Sequence, residues 1–146
     1  MVADPEQMTF YPRPKSRDEA SAWIDRNLAL YEQHGFGVWR AELLDGARFA
    51  GYCGIKPLEL DGAREIELGW HVHKRLWNQG MATEAATAAR DLAFGRFGVR
   101  RLAAVIHPDH VASRRVAERI GMRAERTTVL DEDYPALIYA IDTRGL

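Results

Sequence analysis

In Leu76-Trp77-Asn78-Gln79-Gly80-Met81-Ala82-Thr83-Glu84-Ala85 a strand ends and a long alanine-rich helix begins. Small residues at that junction let the backbone turn sharply and leave N–H groups pointing outward. The first N–H groups of a helix have no intrahelical acceptor and sit at the positive end of its dipole. A strand, a small-residue turn and a helix N-terminus together suit a diphosphate. Taken alone the turn is weak evidence, because many strand-to-helix turns hold glycine for steric reasons only.

Upstream, Glu65, Glu67 and Gly69 alternate with Ile66, Leu68 and Trp70, so Arg64–Val72 reads as a two-faced strand. Asp61-Gly62 marks the turn before it. Arg48–Ile55 and Val38–Leu43 are two further strands, joined through Asp45-Gly46 as a hairpin. Ser16-Arg17-Asp18-Glu19 is a capping box, and Ala20, Trp23, Ile24, Leu28 and Tyr31 carry a helix to about His34. The opening Met1–Pro14, with three prolines, reads as irregular.

Downstream, Ala82, Ala85, Ala86, Ala89, Leu92, Ala93 and Phe97 give a helix over Ala82–Phe97, its small apolar face made for close packing. Arg101–Ile106 is a short buried strand, and a strand-helix-strand crossover implies parallel pairing. His107-Pro108-Asp109 breaks the chain before a short helix from about Val111 to Ile120, stopped by Gly121. Strands near Met122–Leu130 and Pro135–Ile141 close it. Two helix N-termini thus lie at the same ends of adjacent parallel strands, where ligands of open sheets gather.

With 146 residues, 47% hydrophobic and 28% charged, the chain reads as one soluble domain spanning residues 1–146. A net charge of -1 gives no reason to expect nucleic acid or an anionic membrane as partner. No run is long enough to span a bilayer and the acidic, proline-bearing start is no signal peptide, so a cytoplasmic location is expected. Cys53, the one cysteine, excludes an internal disulfide and reads as a buried inert thiol.

Glu65–Val72, Trp77–Ala85, Pro108–Ser113 and Arg119–Met122, in that order and spacing, closely resemble the GCN5-related N-acetyltransferases. The resemblance runs from Asp4 to Ile141, within the branch of ribosomal-protein N-terminal alanine acetyltransferases. It implies a mixed α/β (α+β) acyl-CoA N-acyltransferase-like fold, a mixed central sheet with helices on both faces. It implies acetyl-CoA as co-substrate, no metal, and transfer to a primary amine by direct attack in a ternary complex. That amine is a protein N-terminus or a small molecule.

The family's acyl-CoA turn falls on Trp77 to Ala82, so the N–H groups of Gln79, Gly80, Met81, Ala82 and Thr83 are expected to cradle the CoA pyrophosphate. Trp77 departs from the usual Gln or Arg. The backbone of His71, Val72 and His73 is expected to pair with the pantetheine arm, a bulge there aiming one N–H at the thioester carbonyl. His71, His73, His107 and His110 could be drawn as a zinc cluster; the resemblance places them at the CoA groove instead. Arg75, Arg114 and Arg115 could reach CoA phosphates or simply be surface charges, and Tyr11, Phe36 and Trp39 could line the acceptor pocket or pack the core.

An attacking amine must be neutral, and a carboxylate acting directly or through water helps it become so. Glu67 matches the family's acidic position and is the candidate base, with Glu65 on the same face as its rival. The family often has Asn where His110 stands, and a proton-donating tyrosine where Ala117 stands. That vacancy leaves Ser113 as the nearest donor to the departing thiolate, or as a helix cap or pantetheine contact. The resemblance also implies a strand and helix ahead of the segment matching Asp4–Pro12, after which this chain starts. Their lack would uncover a sheet edge for a homodimer partner to cover. With the missing tyrosine, it keeps open a second function, a catalytically weak acyl-CoA-binding or interaction module.

Overall fold

A computed structural model describes residues 1–145. Its elements are α1 (Arg17–His34), β1 (Val38–Leu43), β2 (Arg48–Leu60), β3 (Ala63–Val72), α2 (Met81–Gly95), β4 (Arg101–Ile106), α3 (Val111–Arg119), β5 (Arg123–Leu130) and β6 (Tyr134–Asp142). Short 3₁₀ turns sit at Lys74–Leu76, Asp131–Asp133 and Thr143–Gly145. The capping box forms: the Ser16 hydroxyl accepts from the Glu19 N–H at 3.2 Å, and the Glu19 carboxylate accepts from the Ser16 N–H at 2.8 Å.

Strand order is β1-β2-β3-β4-β6-β5, antiparallel throughout except between β3 and β4. This is the expected mixed sheet. Alanines 86, 89 and 93 of α2 let that helix lie close on one face, over Cys53, Ile55, Leu68, Leu102, Ala104 and Ile106; α3 adds Val116 and Ala117. On the opposite face a smaller cluster holds Leu60, Ala103, Ala136 and Ile138. There α1 approaches β2 through Trp23 and Tyr52, whose rings stand 4.9 Å apart. Helices therefore cover both faces, as expected.

One boundary differs by more than fraying. β2 continues five residues past Ile55, through Pro57, to Leu60. A proline normally argues against a strand interior. Here Pro57 pairs with Ile66 beyond the reach of β1, whose pairing with β2 ends at Gly54. Its missing N–H therefore costs no ladder bond.

β3 and β4 share a single register pair, Glu67 with Ala103. Arg101, at the start of β4, donates from Nε to Glu65 of β3 at 3.2 Å and from Nη2 to Glu125 of β5 at 2.6 Å. The strands are fastened at that end and part toward Trp70 and Ile106. No helix among the described residues is long and apolar enough to cross a membrane.

Candidate functional site

Eight residues connect β3 to α2 in a shape that the sequence dictates locally. Asn78 and Gly80 take left-handed backbone angles, φ 59° and 82°, which Asn and Gly adopt at least cost. The backbone N–H groups of Gln79, Gly80, Met81, Ala82 and Thr83 donate to no acceptor among the described residues; the first bonded one is Glu84, to the Gly80 carbonyl at 3.0 Å. Five consecutive donors thus stand unspent around a helix N-terminus. Trp77 fastens the turn to the strand it leaves, its indole N–H donating to the Val72 carbonyl at 2.9 Å.

At the end of β3, backbone direction alternates. The His73 N–H donates to the Ala50 carbonyl at 2.8 Å, so it is spent on β2. By the two-residue period of an antiparallel ladder His71 also faces β2, while Trp70 and Val72 turn their backbone groups to the gap beside β4. No bulge interrupts this stretch; the register runs unbroken from Leu60 with Ala63 to Gly51 with Val72. Gly51 permits the approach, since a Cβ there would stand 2.1 Å from the His71 carbonyl oxygen.

The His71 side chain turns inward instead. It is 7% exposed, 2.9 Å from the Tyr52 hydroxyl through Nδ1 and stacked on Tyr11 at 5.6 Å. Burial depresses its pKa to about 4 and raises that of Tyr52 to about 12. The imidazole is therefore neutral, and its Nδ1 shares a hydrogen bond with the Tyr52 hydroxyl.

Where β3 and β4 part, a cleft of about 730 Å³ opens, lined by residues from four separate parts of the chain. Glu67 lies within it, paired to Lys56 at 3.0 Å, its side chain 16% exposed. Gly69, next on the same face, has nothing within 4 Å of where a Cβ would stand. Ser113 and His110 line the α3 end. The Ser113 hydroxyl makes no hydrogen bond among the described residues, and α3 has no side-chain cap. His110 stacks on Phe10 at 4.3 Å and its buried Nδ1 has no partner among the described residues; burial, then His107, lowers its pKa.

Of the two glutamates left open by the sequence, Glu65 is held by Arg101, while Glu67 faces the cleft. Phe36 and Trp39 pack against Phe97 in the core, whereas Tyr11 lines the cleft. Arg75 spends its guanidinium on the Phe49 carbonyl, and Arg114 on the Pro108 carbonyl and Tyr139 hydroxyl. Among the described residues no three or more His, Cys, Asp or Glu are grouped to hold a metal ion.

Sequence reasoning missed Phe10, Tyr134 and Asp131 as cleft residues. Phe10 and Tyr11 arrive on the irregular N-terminal segment, which is anchored where β3 ends: the Lys74 N–H donates to Gln7 Oε1 at 2.8 Å, and the Lys74 ammonium meets Asp4 and Glu6, each at 2.8 Å. No local pattern gives a hint of that anchor, because its two halves lie 67 positions apart. Burial raises the phenol pKa of both Tyr11 and Tyr134, so both keep their protons.

A family model described as an acetyltransferase (GNAT) domain matches residues 1–123. The uncharacterized protein YkkB of Bacillus subtilis is 36% identical over 124 residues, 85% of this chain and 72% of YkkB. The crystal structure of an acetyltransferase from Agrobacterium tumefaciens superposes with a TM-score of 0.83 at 27% identity, covering 97% of this chain and 81% of that one. The structure of yncA from Salmonella typhimurium, determined with its cofactor acetyl-CoA, superposes with a TM-score of 0.72 at 18% identity, over 97% and 84%.

Proposed function

The chain belongs to the GNAT acetyltransferase family, and from that premise we propose that it transfers acetyl from acetyl-CoA to a primary amine by direct attack in a ternary complex. The amine is a protein N-terminus or a small molecule. One observation carries this reading: β3 presents the Glu67 carboxylate to the cleft and, beyond Val72, leads into the five unspent N–H groups of Gln79–Thr83 at the start of α2.

In this reading the pyrophosphate of CoA rests on the Gln79–Thr83 donors, where backbone dipoles favour negative charge. The pantetheine arm lies along the open edge of β3. Of the three residues expected there, Val72 offers an N–H to the gap, beside Trp70; His71 and His73 support the strand from the β2 side. An N–H of that edge steadies the oxyanion as the carbonyl is attacked.

The amine enters beside Gly69. An α-amine of pKa ~8 is partly neutral near pH 7, and a lysine of pKa ~10.4 almost wholly charged. Glu67 accepts the proton that either must lose. Its bridge to Lys56 at 3.0 Å supports this role, since the carboxylate already receives one ammonium there. As the tetrahedral intermediate collapses, the C–S bond breaks and the thiolate takes a proton at the α3 end, where Ser113 stands with its hydroxyl unengaged and His110 beside it. Such an enzyme works where acetyl-CoA is made, in the cytoplasm. The outer edge of β1, which pairs with no further strand among the described residues, suits a second copy of the chain.

Thiol release from acetyl-CoA with a panel of amines tests the reading. Acceptor-dependent turnover is expected; CoA binding without it would leave an acyl-CoA-binding module. Ser113→Ala is expected to lower kcat about threefold to tenfold and leave CoA affinity unchanged. An unchanged kcat removes Ser113 from the mechanism.

A further inference from the structure

The charges lining the cleft are one-sided. Glu59, Asp61, Glu67 and Asp131 contribute carboxylates, and among the described residues no lysine or arginine lines it. His110 adds no compensating charge, because its burial favours the neutral ring. Three of the four carboxylates are matched from outside: Glu59 by Arg64 at 3.3 Å, Asp61 by Arg126 at 2.9 Å, Glu67 by Lys56 at 3.0 Å. Asp131 makes no side-chain hydrogen bond or ion pair among the described residues.

The same walls are aromatic. Phe10, Tyr11, Trp70 and Tyr134 line the cleft. Aromatic faces attract cations, and carboxylates in a low-dielectric recess concentrate positive ligands and repel negative ones. Asp131 and Tyr134 stand at the two ends of one 3₁₀ turn, closed by the Tyr134 N–H donating to the Asp131 carbonyl. That turn brings a carboxylate without a partner among the described residues and a ring to the cleft that Glu67 also lines.

We infer that the acceptor is a doubly cationic amine, whose reacting nitrogen meets Glu67 while a second positive charge is held by Asp131 against the Tyr134 ring. This rests on the N-acetyltransferase reading above. Linear diamines and short peptides with a lysine close behind a free N-terminus share this chemistry. Acceptors bearing a carboxylate or phosphate are disfavoured, since no cation among the described residues lines the cleft to neutralise them.

The test is thiol release from acetyl-CoA by the full chain, with four probes. They are a linear α,ω-diamine, the monoamine of the same chain length, the amino acid with a carboxylate at that far end, and a short peptide with lysine at its second position. The expected order of kcat/KM is diamine or lysine peptide, then monoamine, then amino acid, with about tenfold between dication and monocation. Whichever dication leads identifies the source. Asp131→Asn is expected to narrow that gap about fivefold, through KM and not kcat; Asp131→Glu restores it, and added salt erodes it. The turn is closed by backbone atoms, so the variant keeps its shape. A monoamine used as well as the diamine overturns the inference and leaves the acetyltransferase intact. So does an Asp131→Asn variant that changes kcat for every amine alike. CoA binding with no thiol release from any probe overturns the acetyltransferase reading, and this inference with it.

Discussion

The turn at Trp77–Thr83 and the cleft above Glu67 are neighbours built on opposite principles. The turn is seven consecutive residues whose working parts are backbone N–H groups, shaped by two left-handed residues. The cleft draws side chains from 10–12, 58–70, 104–113 and 129–134, none of which meets another without the whole sheet in place. A site made from backbone tolerates much change in side chains; one made from side chains changes its ligand with each of them. One scaffold can thus keep its donor and vary its acceptor.

This division can be broken by experiment. The largest effect is expected from Glu67→Gln, about a hundredfold loss of kcat with CoA affinity unchanged. Equal losses in both, measured by steady-state kinetics and calorimetry, would mean that the two halves are not separable. Next comes a pair at Gly80, where Asn and Asp are of equal size and both tolerate φ 82°. Gly80→Asp is expected to weaken CoA binding at least tenfold more than Gly80→Asn, because a carboxylate would face the pyrophosphate. Matched losses would show that charge is not what the turn reads.

Gly69→Val should act on the other half, raising KM for the amine about tenfold as the side chain fills space now empty. A weaker grip on CoA of the same size would shift Gly69 to the donor side. The smallest effect concerns stability. His71 titrates at about 4 when folded and near ~6.5 when unfolded. Its contribution is therefore full above the unfolded value and lost as pH falls from there toward 4, on the order of 3 kcal/mol at most. Denaturation at pH 7 and pH 4.5 measures it. His71→Phe should lose part of that slope along with the Tyr52 hydrogen bond; an unaltered slope would assign acid sensitivity to other groups.

How much of this could be read in advance follows from the same contrast. The donor turn, the alternation of β3 and the Ala-rich face of α2 are local patterns, and local physics fixes them. Pro57 concealed the last third of β2, because its harmlessness depends on β1 having already ended. Glu65 and Glu67 were equivalent by spacing; only Arg101, 36 positions on from Glu65, separates them. Asp131 lay between two expected strands, in a turn with no pattern of its own. The N-terminal segment read as irregular, and it is, yet Gln7 and Lys74 bring Phe10 and Tyr11 to the cleft. Residues that act through distant partners leave no periodic trace.

Arg101 gives the cleft a mechanical character. By gripping Glu65 and Glu125 at the start of β4 it acts as a pin, and the six residues to Ile106 form an arm of about 16 Å at ~3.3 Å per residue. If β4 and its partner β6 tilted together by about 3° at that pin, the far tip would move by roughly 1 Å, comparable to the tolerance of a reacting geometry. In the proposed mechanism the strand edge beside the thioester is thus set from the base of β4, by an ion cluster that lines no part of the cleft.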